Sequence, residues 1–432
     1  MRQHFDFARF ITLLILGAAV ISAAPAGSEE RTMNEEIAAA ATEIEAQLIE
    51  ARRWFHQHPE LSNREVETGA EIARRLEAMG YEAQTGVAHN GVVAVLEGDL
   101  PGPVVAWRSD IDALPIDEQV DVPYRSTNAG VMHACGHDVH TTVGLGAAEV
   151  LMKLKSRLHG TVKFIFQPAE EGPPPGEEGG AKLMIVEGVL ADPAPEAIFG
   201  LHVMPIAEAG FVGLRPGGLM AAGDRFTITI HGRMTHGSAP HDGIDAVYVG
   251  SQVVAALQAL ASREIDARKS LVVSVGTFNG GRRWNIIAGK AVLTGTVRTL
   301  DAETWAEIPE RFERIVAGIC EANRATYELE YERIAPVVDN DTGLAAFAVE
   351  SLSRSLGADH VLEVPPIMAA EDFAYFQQKV PGVYFFLGVA NAAEGWTDYV
   401  HTPTFRPDES AIVTGVTAAA SLLADFTAAD QN

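Results

Sequence analysis

Residues 132–140, MHACGHDVH, place three histidines, one cysteine and one aspartate within nine positions. Cys135 and His137 are separated by one residue, so an extended segment or a turn at Gly136 would let a thiolate and an imidazole converge on one ion. Metal binding is one interpretation of the segment, and a histidine-rich loop around a buried cysteine is the other. Two ligands do not complete a metal site, so this interpretation requires further ligands elsewhere in the chain.

Further candidate ligands follow other apolar stretches of the sequence. Glu170 and Glu171 come after one such stretch and precede a Gly- and Pro-rich loop. At a strand end the chain can turn and present both carboxylates to one centre, although a solvated acidic pair is the alternative. His202 and His401 are each, taken alone, more often structural or surface histidines. The candidate ligands are Cys135, His137, Glu171, His202 and His401.

Five ligands of these types predict more than one ion. A single tetrahedral ion needs four ligands. Thiolate, imidazole and carboxylate groups together suit Mn, Zn, Co or Ni. We therefore expect two divalent metal ions at one centre.

Alternating strands and helices must position these residues. Apolar segments at 91–97, 104–107 and 162–166 predict strands, and the segment 143–158 predicts a buried helix. This order predicts an α/β fold with a mostly parallel sheet covered by helices, in which site residues gather at the carboxyl ends of strands. The same alternation of apolar strands and helices returns in the last hundred residues. The predicted catalytic domain comprises residues 34–216 and 332–432.

Residues 217–331 show a different order of elements, namely strand, helix, two strands, helix and strand. That order predicts an inserted ferredoxin-like α+β lid domain. Within it, His236 lies in a Gly- and Pro-containing loop between a strand and a helix. One interpretation is a substrate-facing donor that stabilises an oxyanion, and the other is a loop that caps the following helix.

Composition restricts the partners and the compartment of the protein. The formal net charge is −26 over 432 residues, which argues against a nucleic-acid partner. Residues 1–26 have the pattern of a signal peptide, with Arg2 and Arg9 before an apolar run and small residues. We expect an exported protein, periplasmic or secreted, without an integral membrane span in its mature part. Cys135 and Cys320, the two cysteines, are expected to stay unbridged.

Eight ordered motifs make the chain resemble a known family. They are RRWFHQHPELS, RSDIDALP, MHACGHDVH, FIFQPAEEG, GLHVMP, GRMTHGSAPH, AAEDFAYF and HTPTF, and the match extends over residues 44–426. The chain resembles the dinuclear metallohydrolase superfamily of aminoacylases and glutamate-type carboxypeptidases. Within it, the motifs are most similar to the amidohydrolase branch of hippurate hydrolase and the indole-3-acetyl-amino-acid hydrolases.

This resemblance implies roles for individual residues. The five candidate ligands match the metal ligands of the family, one of them bridging two ions, and Glu170 matches the general acid/base. His236 matches a lid histidine that can reach the active site of a neighbouring subunit, which implies a homodimer or higher oligomer through the lid. Asn285 matches a lid residue that contacts substrate. Asp110 and Asp112 match groups that surround the ligands.

The implied activity is hydrolysis of the amide bond of N-acyl or N-aroyl amino acids to a carboxylic acid and a free amino acid. An exported dipeptidase or carboxypeptidase of the same superfamily is an alternative, and a non-catalytic metal- or ligand-binding homologue is another. The sequence departs from the branch at Ile111, where methionine is usual, and in a lengthened PPPG stretch after Glu171. Neither departure touches a candidate ligand.

Overall fold

The computed structural model describes residues 31–429, so the predicted signal peptide at 1–26 lies outside the described residues. The strands in chain order are β1 (Ala83–Val87), β2 (Gly91–Glu97), β3 (Leu100–Asp110), β4 (His159–Gln167), β5 (Ala197–Glu208), β6 (Val212–Leu214), β7 (Gly217–Met220), β8 (Ala222–His231), β9 (Val272–Gly280), β10 (Lys290–Thr299), β11 (Thr326–Ala335), β12 (Val338–Asn340), β13 (Val361–Glu363) and β14 (Gly382–Ala390).

The helices are numbered in the same way. They are α1 (Met33–Glu43), α2 (Glu45–Gln57), α3 (Val66–Ala78), α4 (His137–Lys153), α5 (Gly180–Val186), α6 (Ala246–Ala259), α7 (Ala302–Ala322), α8 (Thr342–Leu356), α9 (Ala374–Gln377) and α10 (Ala411–Ala428).

A mixed eight-stranded sheet holds the candidate ligands. Its order is β1-β2-β4-β3-β5-β14-β6-β13. The central strands β4, β3, β5 and β14 are parallel to their neighbours in this group, whereas β1, β2 and β6 add antiparallel pairs. Parallel strands have their carboxyl ends at one edge of the sheet, so polar residues that follow them meet there. The predicted α/β fold class is confirmed.

Both faces of this sheet are covered, as expected for parallel strands. On β4, Phe164 and Phe166 join one apolar core, while Ile165 between them joins the core on the opposite face. Helix α10 belongs to the first core. Within residues 31–429 it is the one helix that is long and apolar enough to suit a membrane span, and 72% of it is buried inside the fold. Such burial is typical of a core helix.

A second sheet forms the predicted lid. Strands β8, β9, β10 and β11 make an antiparallel sheet of order β11-β8-β10-β9, with α6 following β8 and α7 following β10. This is the ferredoxin-like arrangement that the sequence predicted. It has its own core, in which Phe226 and Phe312 are fully buried. The predicted boundaries at 217 and 331 stay a prediction; β11 itself continues to Ala335.

The helix predicted at 143–158 begins earlier than expected. It starts at His137 and ends at Lys153, so the prediction of its bounds was wrong. Gly136 has a left-handed φ of 81° and turns the chain directly into the helix. The first helical turn is mostly polar but buried, because its polar side chains have charged partners: His137 contacts Asp112, His140 contacts Asp110, and Asp138 pairs with Arg52. The apolar pattern that marks the helix in the sequence therefore begins only one and a half turns later.

Candidate metal centre

The five predicted ligands come together around Cys135. Its Sγ lies 3.3 Å from Nε2 of His202 and 3.1 Å from Nε2 of His401. Nε2 of His401 also lies 3.0 Å from Oε1 of Glu171. The donor atoms of Cys135, His137 and His202 all lie within 4.8 Å of one another, and so do those of Cys135, Glu171 and His401. Two groups of three donors thus share the Cys135 thiol.

The donor set fits metal ions on grounds of chemistry and of hydrogen bonding. Nε2 of His137 is buried and has no hydrogen-bond partner, although it faces the carboxylates of Asp110 and Glu170 at 3.8 and 3.9 Å. A buried imidazole nitrogen without a partner is costly in a folded protein. A divalent cation bound there would use this lone pair and offset the surrounding negative charge. Two groups of mixed thiolate, imidazole and carboxylate donors fit two such ions.

Three left-handed backbone positions shape this edge of the sheet. Gly136 separates Cys135 from His137, and a Cβ at this glycine would lie 2.4 Å from Cγ2 of Val203. His401 has a φ of 63° and its N–H donates to the carbonyl of Ala134 at 2.8 Å, which ties the two ligand loops together. The third position, Ala169, has a φ of 54° and immediately precedes the glutamate pair. Side chains in this region of φ are strained, and such strain is frequent at functional sites.

Asp112 joins two of the ligands. Its Oδ1 lies 3.1 Å from Nδ1 of His137, so it can accept the imidazole proton and leave Nε2 free to bind a metal. Its Oδ2 accepts the N–H of Glu171 at 3.1 Å and the hydroxyl of Ser62 at 2.7 Å. Asp112 therefore contacts two of the candidate ligands, and the role around the ions that the family resemblance implies for it stays a prediction.

Asp110 contacts His140, the last residue of the MHACGHDVH segment. Its Oδ1 lies 2.5 Å from Nδ1 of His140, and Nε2 of His140 accepts the N–H of Val203 at 2.8 Å. His140 thus links Asp110 to the backbone next to His202. Nη1 of the fully buried Arg108 donates to Asp110 Oδ2 at 2.6 Å. These contacts connect the end of β3 and the start of α4 to β5, the strand that carries His202.

Glu170 lies among further carboxylates. One oxygen from each of Glu170, Glu371 and Asp372 falls within 4.8 Å of the others. Burial and the neighbouring Glu371 and Glu171 raise the pKa of Glu170 well above its usual range. Arg108 donates to Glu371 at 3.0 Å and to Asp372 at 2.9 Å, and so neutralises part of this charge. A carboxyl group in such surroundings is poised to hold a proton.

Sequence reasoning missed the part played by Glu371, Asp372 and Arg108. The first two belong to AAEDFAYF, a motif that identified the family but suggested no site residue. Two adjacent acidic residues followed by apolar ones were the available signal, as they were for Glu170 and Glu171. Both residues lie about 200 positions from Glu170, and the contact depends on the sheet that brings them together.

Charge and burial shift the acidity of the ligands themselves. Burial, together with the carboxylates of Glu171 and Glu170, raises the pKa of the Cys135 thiol well above its usual range. Burial and the neighbouring His140 lower the pKa of His202. Burial alone would also lower the pKa of His137, but Asp110 and Asp112 outweigh it and raise that pKa to about 10.

The two lid residues, His236 and Asn285, lie close to each other. Nδ1 of the exposed His236 is 2.7 Å from Oγ of Ser238, and the N–H of Gly237 donates to the carbonyl of Asn285 at 2.8 Å. Within residues 31–429, no hydrogen bond or ion pair joins His236 or Asn285 to the five ligands. Their predicted roles toward substrate stay predictions.

Comparison with known proteins identifies the family. The profile described as Peptidase family M20/M25/M40 matches residues 106–425. N-acetylcysteine deacetylase of Bacillus subtilis is 40% identical over 367 residues, which cover 84% of this chain and 93% of that protein. Thermostable carboxypeptidase 2 of Saccharolobus solfataricus is 39% identical over 386 residues, 89% of this chain and 96% of that protein.

A solved structure agrees with both the fold and the metal chemistry. The crystal structure of the YXEP protein of Bacillus subtilis, described as a dinuclear metal binding peptidase from the M20 family, matches with a TM-score of 0.77 and 36% identity. The match covers 89% of this chain and 98% of that one. The profile, the two enzymes and the structure agree with the family resemblance of the eight motifs. The chain belongs to peptidase family M20/M25/M40.

Proposed function

We propose that this protein hydrolyses the amide bond of N-acyl or N-aroyl amino acids and releases a carboxylic acid and a free amino acid. The observation that carries the proposal is the place of Glu170. Its carboxyl group is largely buried and has a raised pKa, and its Oε2 lies 3.9 Å from Nε2 of the candidate ligand His137. The similarity to an N-acetylcysteine deacetylase supports this substrate class, since that name describes cleavage of an acyl group from an amino acid.

Glu170 would carry the proton in this reaction. Two divalent ions, when bound, lower the pKa of a water molecule and polarise a carbonyl oxygen. Glu170 takes the proton from the attacking water and delivers it to the leaving nitrogen. The nearby Glu371 and Asp372 favour the protonated form that the second transfer requires. Asp112 meanwhile holds His137 in one orientation through its Nδ1.

The identity of the ions and the contribution of the lid belong to the same proposal. A thiolate donor among imidazoles and carboxylates suits Mn, Zn, Co or Ni. We also propose that the protein is exported by its signal peptide at 1–26. His236 and Asn285 would contact substrate from the lid of a neighbouring subunit, which would account for the lack of hydrogen bonds between them and the five ligands within residues 31–429.

A carboxypeptidase is the second candidate function, because a relative at 39% identity carries that name. Both functions can be tested on purified mature protein whose metal content has been measured. Each candidate ion is added to metal-free protein, which is then given N-acyl amino acids, N-aroyl amino acids and dipeptides with a free amine. We expect cleavage of the first two classes. Cleavage of the dipeptides alone would favour the peptidase, and cleavage of none would reject both.

A further inference from the structure

Glu65 is a buried carboxylate to which neither the sequence analysis nor the proposed mechanism gives a role. It immediately precedes α3 and its side chain is fully buried. The segment that contains it follows the RRWFHQHPELS motif, and its Asn63 donates to the Glu177 carboxylate and to the carbonyl of Glu178, a few residues after the Glu170 and Glu171 pair. Its neighbour Ser62 already reaches the site, because the Ser62 hydroxyl donates to Asp112 at 2.7 Å.

The side chain of Glu65 binds the turn that presents Glu170 and Glu171. Its Oε1 accepts the N–H of Ala169 at 2.8 Å and the N–H of Asn63 at 2.9 Å. Its Oε2 accepts from Nδ2 of Asn90 at 3.1 Å. Ala169 is the residue with a left-handed φ directly before the two glutamates. A conformation of this kind persists only where the surroundings enforce it.

Two buried carboxylates therefore hold the same turn at its two ends. Glu65 accepts the N–H of Ala169, and Asp112 accepts the N–H of Glu171 two residues later. Glu170 lies between these anchors. Because both ends of the turn are held, the backbone positions of Glu170 and Glu171 are defined. Glu170 is placed for the proposed proton transfer, and Glu171 is placed to bind an ion.

We infer that Glu65 is a positioning residue that fixes the turn of Glu170 and Glu171 through the N–H of Ala169. The inference deepens the proposed function, on which its catalytic part rests, and it adds a consequence for metal binding. Residues that support metal ligands in this way typically change metal affinity or activity by about 10–100-fold when they are replaced.

Two conservative variants separate position from charge. Glu65→Gln keeps the length of the side chain and an oxygen for the N–H groups of Ala169 and Asn63, but it removes the charge. Glu65→Asp keeps the charge but withdraws the carboxylate by one methylene. If Glu65 acts by its position, the zinc affinity of the Gln variant stays close to that of the wild type and the affinity of the Asp variant falls. If Glu65 acts by its charge, the Asp variant keeps its affinity and the Gln variant loses it.

Glu60→Ala is the matched control. The Glu60 carboxylate accepts the N–H and the hydroxyl of Thr68 at 2.8 and 2.9 Å, so it supports the start of the same helix without contacting the glutamate turn. Its loss should lower stability while leaving the site unchanged. A comparison of Glu65→Ala with Glu60→Ala therefore distinguishes a positioning effect from a general loss of stability in α3.

The deciding measurement is calorimetric titration of the metal-free mature protein with Zn²⁺, followed by kcat and KM on the best N-acyl amino acid. We expect the Ala and Asp variants of Glu65 to bind one ion about 10–100-fold more weakly and to lose kcat with little change in KM. Glu65→Gln and Glu60→Ala should stay near wild type.

Equal zinc affinities in Glu65→Asp, Glu65→Gln and wild type would overturn the inference, and the two conservative variants serve if Glu65→Ala fails to fold. The titration needs no substrate. If the wild-type protein cleaves no N-acyl amino acid, the proposed function fails while the order of zinc affinities still tests the role of Glu65.

Discussion

Glu170 and Glu171 are neighbours in sequence that both lie near His137 but differ in their other partners. Oε1 of Glu171 lies 3.0 Å from His401, among the ligands, whereas Glu170 faces Glu371 and Asp372. The turn at Ala169 lets both side chains reach one site, because regular strand geometry would send them to opposite faces of the sheet. One carboxylate can thus bind an ion while the other keeps a proton.

Replacing Glu170 by Gln should remove the proton carrier without disturbing the ions. We expect kcat on an N-acyl amino acid to fall by about 10²–10⁴-fold, the usual contribution of a general acid or base. Metal content should remain that of the wild type, because Glu171 supplies the carboxylate ligand. Steady-state kinetics and elemental analysis check both statements. Glu178→Gln, an exposed glutamate of the same loop, is the control, and near-normal hydrolysis by Glu170→Gln would disprove the assignment.

Glu65 also makes stability depend on pH. Burial, together with the charge of Asp112, raises the pKa of Glu65 from 4.5 to about 7. Below pH 4.5 it is protonated in both states, and between pH 4.5 and 7 the unfolded chain releases the proton while the folded one keeps it. Folding stability therefore falls as pH rises through this window, by about 3 kcal/mol.

The Glu65→Gln variant lacks this titration. Its free energy of unfolding relative to wild type, measured by denaturant titration of the metal-free proteins, should rise by about 3 kcal/mol between pH 4.5 and pH 8. Differences between the two proteins cancel the titration of most other groups. A difference that is constant with pH would mean that Glu65 ionises normally in the folded state.

At the scale of elements, much of the fold could be predicted from periodicity. The strand predicted at 91–97 has the bounds observed for β2. The order predicted for residues 217–331 (strand, helix, two strands, helix and strand) is the order observed for β8, α6, β9, β10, α7 and β11. These elements are long enough for their apolar patterns to distinguish a strand from a helix. The places of the five ligands followed only in part from strand ends: Glu171 lies just beyond β4, whereas His202 lies inside β5 rather than after it. Cys135, His137 and His401 lie in or next to the longer connections after β3 and β14.

Contacts between distant segments could not be predicted in this way. Glu65 and Ala169 are 104 positions apart, and no local pattern relates them. The start of α4 was missed for a different reason. Its first turn is buried by polar pairing, such as that of His140 with Asp110, and a rule based on apolar residues does not detect burial of that kind. In both cases the structure depends on polar contacts between segments that are far apart in the sequence.

The turn before α4 is sensitive to a single methyl group. Ala at position 136 would have to adopt a left-handed φ and would place its Cβ 2.4 Å from Val203. We expect Gly136→Ala to destabilise the protein by more than the cost of the conformation alone, which is about 1–2 kcal/mol. It should also weaken zinc binding, since Cys135 and His137 flank the turn.

Gly395→Ala provides the comparison for this variant. Gly395 has a similar φ of 75°, but nothing lies within 4 Å of a Cβ at that position. It should show the conformational cost without the clash and with unchanged metal affinity. Denaturant unfolding and zinc titration of the two variants measure both effects. Equal losses of unfolding free energy in the two variants would show that Val203 moves aside and that the turn before α4 is not closely packed.

At the scale of the whole molecule, the fold separates the ligands from the lid residues. The five ligands belong to the eight-stranded sheet and its loops, whereas His236 and Asn285 lie at one end of the ferredoxin-like sheet. His236 is exposed, and its hydrogen bonds stay within its own loop. Two arrangements would bring it to a substrate: closure of the lid within one chain, or the approach of a second chain.

Mixing two inactive variants decides between these arrangements. If His236 acts in the site of a neighbouring subunit, Glu170→Gln and His236→Ala each inactivate every site of their own homodimers. Random exchange of subunits makes half of the dimers mixed, and one site in each mixed dimer receives both wild-type residues. We then expect recovery of about a quarter of wild-type activity, because the two sites of a symmetric dimer are equivalent.

The matched control is Glu170→Gln mixed with the double variant Glu170→Gln/His236→Ala, in which no combination of subunits restores a complete site. Exchange itself is followed by copurification of differently tagged chains. Exchange without recovered activity would contradict action across the dimer and favour closure within one chain. Activity in His236→Ala alone would remove this histidine from the mechanism and leave stabilisation of the oxyanion to the ions bound by the larger domain.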